Sequence, residues 1–220
     1  MDDRWDAVDE YFGSRLLGHD PVLEAVLAAS RAGGLPDIAV APNQGMLLNV
    51  LARAIHAKRI LEVGTLGGYS SIWLARALPK GGKLITLEVE KRHFEVAKAN
   101  FARAGLSEVI EQRLGRGADL LAKLAIEKPE PFDLIFIDAD KPSNADYFDW
   151  ALKLSHPGSL IIVDNVVRGG AVADAKSRDA GVTGVHRLVD RVAAEKHVMS
   201  TAIQTVGVKG YDGFLISVVI

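Results

Sequence analysis

The sequence predicts an α/β protein built on a doubly wound, mostly parallel sheet, with an antiparallel C-terminal edge hairpin and additional N-terminal helices. Three observations support this class. Five short apolar runs alternate with helical segments, which is typical of a parallel sheet covered on both faces. Two further apolar runs close the chain and are joined through "KGYDG", so they can only pair antiparallel. The first 58 residues have helical rather than strand periodicity.

The N-terminal helices occupy residues 1–58. The stretch "DPVLEAVLAASRAGG" begins with Asp20 as an N-cap and Pro21 in the first turn. In "APNQGMLLNVLARAIHA" the apolar residues recur at helical spacing. No linker divides these helices from the core at 59–220, so we expect a single domain over residues 1–220.

The core alternates strands and helices from residue 59 onwards. Tyr211 to Gly213 are expected to form the turn of the final hairpin. The predicted strands are 59–64, 83–89, 109–115, 132–138, 159–165, 200–208 and 213–220, and the predicted helices are 71–78, 91–104, 118–127, 144–154 and 184–195.

Composition restricts the class of partner. The net charge is -2 and no dense Lys/Arg block is present, which argues against nucleic acid or a membrane surface and favours a small molecule. The absence of cysteine excludes disulfides, thiolate metal sites and a cysteine nucleophile. The acidic N-terminus has no signal-peptide pattern and no apolar run is long enough for a membrane span, so a cytoplasmic location is expected. The six histidines lack a metal-ligand spacing, and His93 is among those predicted to be surface residues.

The first strand ends in a glycine-rich turn, "LEVGTLGGYSS". Gly64, Gly67 and Gly68 allow a sharp turn and a close approach to a ligand, and Ser70 can donate a hydrogen bond where the helix begins. Tight packing alone could also explain the glycines. The second strand ends at Glu88, where an acidic side chain could accept the two hydroxyls of a ribose, although a solvated carboxylate is the alternative.

Glu62 lies inside the first apolar strand, where a charge is costly unless it is paired. A cationic ligand group such as an ammonium or sulfonium would supply the pairing. The turn also lacks the G-x-G-x-x-G spacing of dinucleotide-binding proteins. Both points favour S-adenosylmethionine over a nicotinamide cofactor.

Charged and polar residues end two other strands abruptly. In "FDLIFIDADK" the apolar run stops at Asp138, and "SLIIVDN" ends in Asp164 and Asn165. If the strands are neighbours, two carboxylates and an amide converge, a set of oxygen ligands that suits Mg²⁺ and leaves positions for two vicinal phenolic oxygens. Lys141 could then take the proton of the attacking hydroxyl; a solvated lysine in a turn is the alternative. Residues 168–181 follow directly and are a candidate lid over the acceptor.

With these motifs in place, the chain resembles the metal-dependent class I O-methyltransferases of the caffeoyl-CoA and catechol type. The resemblance covers nearly the whole chain and includes "EVGTLGGYS", "FIDADK", "VDN" and "QTVGVKGYDGF". It implies a Rossmann-like fold, a homodimer, a divalent cation (Mg²⁺, Ca²⁺ or Mn²⁺) and a phenolic acceptor. Where the family often has a Thr-Ser pair, this chain reads "IAVAPNQG". The resemblance assigns the metal to Asp138, Asp164 and Asn165 and the base to Lys141, and it implies that Asp138 is also catalytic, because it would touch the acceptor through the metal. It assigns S-adenosylmethionine contacts to Val40, Glu62, Gly64, Thr65, Ser70, Glu88, Gly117 and Asp140.

The sequence therefore predicts a methyltransferase that acts on one hydroxyl of a vicinal dihydroxyphenyl compound. One alternative is a nicotinamide-dependent oxidoreductase, which shares the fold but has no use for the metal set. A second is an inactive methyltransferase-like binding protein, which would not need a complete metal and base set. A nucleic-acid N-methyltransferase is disfavoured, because the fourth strand ends in "DADK" instead of an Asn/Asp-Pro-Pro-aromatic motif.

Overall fold

The computed structural model describes residues 3–220. Within them, seven strands form one sheet in the order β3-β2-β1-β4-β5-β7-β6, with β7 antiparallel to both β5 and β6 and the other pairs parallel. The predicted fold class is confirmed. The strands are β1 (Arg59–Val63), β2 (Lys83–Glu88), β3 (Ile110–Leu114), β4 (Phe132–Ile137), β5 (Ser155–Asp164), β6 (Val198–Gly207) and β7 (Gly210–Val219).

Helices precede the sheet and cover its two faces. Pro21 opens α2 and Asp20 caps it, with Oδ1 accepting hydrogen bonds from the backbone N–H groups of Val22 and Leu23. Within residues 3–220, no helix is both long and apolar enough to cross a membrane. The helices are α1 (Asp3–Phe12), α2 (Pro21–Ala32), α3 (Pro42–Ala54), α4 (Tyr69–Ala75), α5 (Lys91–Arg103), α6 (Gly117–Glu127), α7 (Asn144–Lys153) and α8 (Ala180–Ala194).

The core lies on both sides of the sheet, because side chains alternate along each strand. Leu61 and Val63 of β1 pack on the side of α6, α7 and α8, while Ile60 packs on the side of α2 to α5. Burial on both faces explains why the central strands read as continuous apolar runs. Two buried polar residues, Glu62 and Thr86, interrupt β1 and β2 and hydrogen-bond to each other.

Several predicted boundaries differ from the structure, and β5, for example, begins at Ser155 instead of Ser159. The last helix begins at Ala180 instead of Gly184, because the Asp179 side chain accepts from the backbone N–H of Val182 and caps it four residues earlier. The final hairpin turns at residues 208–209, since Gly207 pairs with Gly210. Tyr211 to Gly213 thus belong to β7, and their assignment to the turn was wrong.

Candidate active site

A cavity of about 870 Å³ lies beyond the carboxyl ends of the parallel strands. Strand order reverses between β1 and β4, and ligands of open α/β sheets bind at such a point. The cavity wall brings together every site residue predicted from the sequence except Glu62. The predicted residues that line it are Val40, Gly64, Thr65, Ser70, Glu88, Gly117, Asp138, Asp140, Lys141, Asp164 and Asn165.

The turn after β1 packs directly on the backbone that follows β4. Gly64 has φ +103°, and a Cβ atom there would lie 2.1 Å from the carbonyl oxygen of Asp138. The Asp138 N–H in turn donates to the carbonyl of Val63 at 2.9 Å. The glycine is therefore required by close approach as well as by its left-handed backbone.

Glu88 ends β2 with its carboxylate held by backbone N–H groups. Oε2 accepts from Leu66 at 2.8 Å, and Oε1 accepts from Val89 and Glu90, both at 2.9 Å. The side chain is buried and still lines the cavity. Glu88 is thus not the solvated carboxylate of the alternative interpretation, because it orders the glycine-rich turn.

Glu62 lies behind the cavity wall rather than in it. It is fully buried, and its carboxylate accepts hydrogen bonds from the hydroxyls of Ser70, Ser71 and Thr86. Burial raises the pKa of Glu62 to about 7, although the three hydroxyl donors oppose that shift. The partners of this buried acid are protein hydroxyls, so its burial alone does not require a cationic ligand. Ser70 connects it to the cavity.

Replacement of Glu62 by Gln should flatten part of the pH dependence of stability. The pKa of Glu62 is raised from 4.5 to about 7 on folding, so between those pH values the folded state binds more protons than the unfolded state. The free energy of unfolding must then fall as pH rises through this window. The fall is about 1.4 kcal/mol per pH unit and up to about 3 kcal/mol in total. Urea unfolding of Glu62→Gln from pH 4.5 to 7.5 in EDTA should show a shallower decline than the wild type. Parallel pH profiles would contradict the assignment.

The predicted metal ligands and the predicted base lie at the carboxyl ends of β4 and β5, which are neighbours, as the metal hypothesis requires. Lys141 Nζ lies 2.9 Å from Asp138 Oδ1. Asp164 Oδ1 accepts from the backbone N–H of Asn165 at 2.8 Å. Burial, and after it the negative charge of Asp138, raises the pKa of Asp164 to about 7. Two carboxylates thus repel each other beside the cavity.

This arrangement fits a hard divalent cation. Within residues 3–220, no three Asp, Glu, His or Cys side chains form a metal-type cluster, so a third protein ligand would be of another type, such as the Asn165 amide. Asn165 lines the cavity and has a left-handed backbone with φ 57°. A cation between the carboxylates would relieve their repulsion, and carboxylate and amide oxygens are ligands that Mg²⁺ and Ca²⁺ prefer.

Several cavity residues were not predicted as site residues, and three of them contact the predicted acids. Gln44 of α3 donates from Nε2 to Asp164 Oδ2 at 2.6 Å. Tyr147 of α7 donates its hydroxyl to Asp140. His93, predicted to be a surface residue, lines the cavity with Nδ1 3.5 Å from Glu88 Oε1.

Asp212 of β7 holds the backbone that follows the predicted metal ligands Asp164 and Asn165. Its Oδ1 accepts from the backbone N–H groups of Val167, Arg168 and Gly213, at 3.0, 2.9 and 3.0 Å. The segment Arg168–Ala173 is a kinked turn with a left-handed backbone at Gly169 and Gly170, and His186 Nε2 lies 2.8 Å from the carbonyl oxygen of Val172. The loop after β5 is therefore anchored to both β7 and α8.

Comparisons with known proteins agree on one family. A family model described as O-methyltransferase matches residues 18–215. A curated catechol O-methyltransferase from Niastella koreensis is 49% identical over 218 residues, which cover 98% of this chain and 97% of that protein. The crystal structure of an O-methyltransferase from Bacillus cereus in complex with SAH is 50% identical, covers 100% of both chains and has a TM-score of 0.99. The O-methyltransferase TomG from Streptomyces achromogenes, involved in tomaymycin synthesis and solved with SAM, is 51% identical with a TM-score of 0.96, covering 100% of this chain and 99% of that one.

Proposed function

The chain belongs to the O-methyltransferase family, and from that premise we propose that it is an S-adenosylmethionine- and divalent-metal-dependent enzyme that methylates one hydroxyl of a vicinal dihydroxyphenyl compound. Family membership decides against the nicotinamide-dependent alternative. The observation that carries the proposal is the convergence of Asp138, Asp164 and Asn165 beside Lys141 in the cavity.

The cofactor half of the site supports S-adenosylmethionine. The glycine-rich turn, Glu88 and Gly117 line one continuous cavity with the metal set, and relatives of this chain were solved with SAH and SAM. S-adenosylmethionine would supply a methyl group on a sulfonium sulfur. We assign Val40, Gly64, Thr65, Ser70, Glu88, Gly117 and Asp140 to its contacts, with Glu62 acting behind Ser70.

The metal half of the site supports a vicinal diol as acceptor. Bound there, Mg²⁺, Ca²⁺ or Mn²⁺ would supply the Lewis acidity that lowers the pKa of a phenol, which is near 10 when unperturbed. Asp138, Asp164 and Asn165 would hold it, and Gln44 keeps the Asp164 carboxylate oriented. Two adjacent phenolic oxygens suit the positions that three protein ligands leave open in an octahedral site.

Lys141 would act as the base. As the carbon–sulfur bond breaks and the new oxygen–carbon bond forms, the proton of the attacking hydroxyl would pass to Lys141 Nζ. Nζ can accept a proton only as a neutral amine with a free lone pair, and Asp138 Oδ1 lies 2.9 Å from it.

Methyl transfer to a panel of phenols tests this proposal. Product formation from S-adenosylmethionine is followed by mass spectrometry with vicinal and isolated phenols, first with Mg²⁺ and then with EDTA. We expect transfer only to vicinal diols, and its loss in EDTA with recovery on adding Mg²⁺. Equal rates in EDTA would refute the metal role, and no transfer despite cofactor binding would favour the inactive binding protein.

We also propose a homodimer, because apolar side chains of β6 and α1 are exposed on the described part of the chain. They include Met199, Ile203 and Val206 on β6, and Tyr11 and Phe12 on α1. Sedimentation velocity distinguishes the dimer from the 23.6 kDa monomer. A monomer at micromolar concentration would contradict the proposal.

A further inference from the structure

Arg168 has an unusual position at the metal end of the cavity. It follows Asp164 and Asn165 by a few residues, lines the cavity, and is partly buried. Its Nε is buried and has no hydrogen-bond partner among residues 3–220, and its guanidinium forms no ion pair with any of them. Guanidinium groups taken out of bulk water are normally paired. A partner for Arg168 is thus missing from the described protein.

The backbone at Arg168 is also strained. Its φ is 57°, in the left-handed region that non-glycine residues seldom adopt, and Gly169 and Gly170 next to it have positive φ as well. A third glycine would adopt this conformation without strain. Asp212 holds the strained turn through the N–H of Arg168. A side chain kept where glycine would be easier indicates a task for that side chain.

The other cationic side chains of the cavity wall either have an acidic partner or are exposed to solvent. Lys141 is paired with Asp138, and Lys209 Nζ lies 3.5 Å from Asp37 Oδ1. Arg116 is exposed to solvent and follows β3, at the far end of the sheet from β5. Among the cavity cations of the described chain, Arg168 alone combines partial burial with the lack of a partner.

We propose that Arg168 is a specificity-determining residue that binds a carboxylate on the acceptor, so that the preferred substrates are vicinal diols with an anionic side group. The inference rests on the proposed function and adds the charge of the substrate to it. A planar guanidinium matches a carboxylate with two parallel hydrogen bonds. Arg168 is three positions after Asn165, so their Cα atoms are at most roughly 11 Å apart, and a small dihydroxybenzoate can reach both groups.

One protein group competes for this role. The guanidinium packs against Gly181, and Asp179 Oδ1 lies against the same glycine, where it accepts from the N–H of Val182. An ion pair between Arg168 and Asp179 in solution would anchor the loop after β5, and Arg168 would then not bind the carboxylate of the acceptor. The test must therefore separate recognition of the carboxylate from anchoring of the loop.

Matched acceptors make this separation. The values of kcat/KM are measured for 3,4-dihydroxybenzoate and its uncharged methyl ester, and for caffeate and its methyl ester. The proteins are the wild type, Arg168→Met, Arg168→Lys and Asp179→Asn. Loss of a charged hydrogen bond predicts that Arg168→Met lowers the acid-to-ester ratio about ten- to a hundredfold. Arg168→Lys, which keeps the charge, should retain much of the ratio, and Asp179→Asn should leave it unchanged.

Each other outcome overturns the inference. If Arg168→Met slows acid and ester by the same factor, or if Asp179→Asn reproduces its effect, Arg168 anchors the loop. If the wild type shows no preference for the acids and Arg168→Met leaves the acid-to-ester ratio unchanged, the protein does not recognise an anionic group on the acceptor. If the wild type methylates neither member of any pair, the proposed function itself fails, and this result is distinct from the other two.

Discussion

Replacement of Asp138 by Ala should lower methyl transfer by about a thousandfold while S-adenosylmethionine still binds. The variant removes one of two carboxylates at the proposed metal site and the partner that lies 2.9 Å from Lys141 Nζ. Metal polarisation of an oxygen is worth several kcal/mol, and about 4 kcal/mol corresponds to that factor. The rate is measured with a vicinal diol, and cofactor and Mn²⁺ binding are followed by calorimetry.

The matched control is Asp190→Ala on α8, an exposed aspartate outside the cavity. It should retain wild-type rates and wild-type Mn²⁺ affinity. Full activity of Asp138→Ala, or Mn²⁺ affinity equal to that of the control, would exclude Asp138 from the metal site. Loss of cofactor binding in Asp138→Ala would show instead that the variant disturbs the turn after β1.

Gly64→Ala should destabilise the fold by about 2–5 kcal/mol and abolish cofactor binding. The added Cβ would lie 2.1 Å from the carbonyl oxygen of Asp138, at a residue with φ +103°. Overpacking costs about 1–3 kcal/mol and a left-handed L-residue about 1–2 kcal/mol. The carbonyl cannot move freely, because the N–H of the same residue is bonded to Val63. Urea unfolding measures the loss of stability.

The control variant Gly158→Ala separates the effect of backbone strain from the effect of the steric contact. Gly158 has φ +94°, but no atom lies within 4 Å of the place where its Cβ would be. The control carries the backbone strain without the contact, so we expect a loss of only about 1–2 kcal/mol. Equal losses in the two variants would show that the approach of Gly64 to Asp138 has no energetic consequence.

The sequence predicts the strand-end residues well, because a charge that stops a buried apolar run has few explanations. Asp138, Asp164 and Asn165 follow this logic, and β4 and β5 are neighbours as expected. Glu62 shows the limit of prediction from the sequence. A buried acid in a strand requires partners, but the sequence alone does not distinguish a ligand from the hydroxyls of Ser70, Ser71 and Thr86, the last of which lies on a different strand.

Contacts between distant segments were not predictable in the same way. Gln44 and Asp164 are 120 residues apart, and nothing in "APNQG" indicates that its amide meets a carboxylate. The assignment of Tyr211 to Gly213 to a turn followed local propensity, because Asp and Gly favour turns. In the structure the Asp212 carboxylate binds the backbone after β5, and this long-range contact outweighs the local preference.

The three N–H groups bound to Glu88 have a thermodynamic consequence. The acid that would meet the ribose is immobilised before any ligand arrives, so its rotamer entropy is lost during folding and not again on binding. The turn that would receive the cofactor is ordered by the same contacts. Such preorganisation favours tight binding of cofactor and product alike, so release of the spent cofactor becomes a candidate for the slow step of turnover.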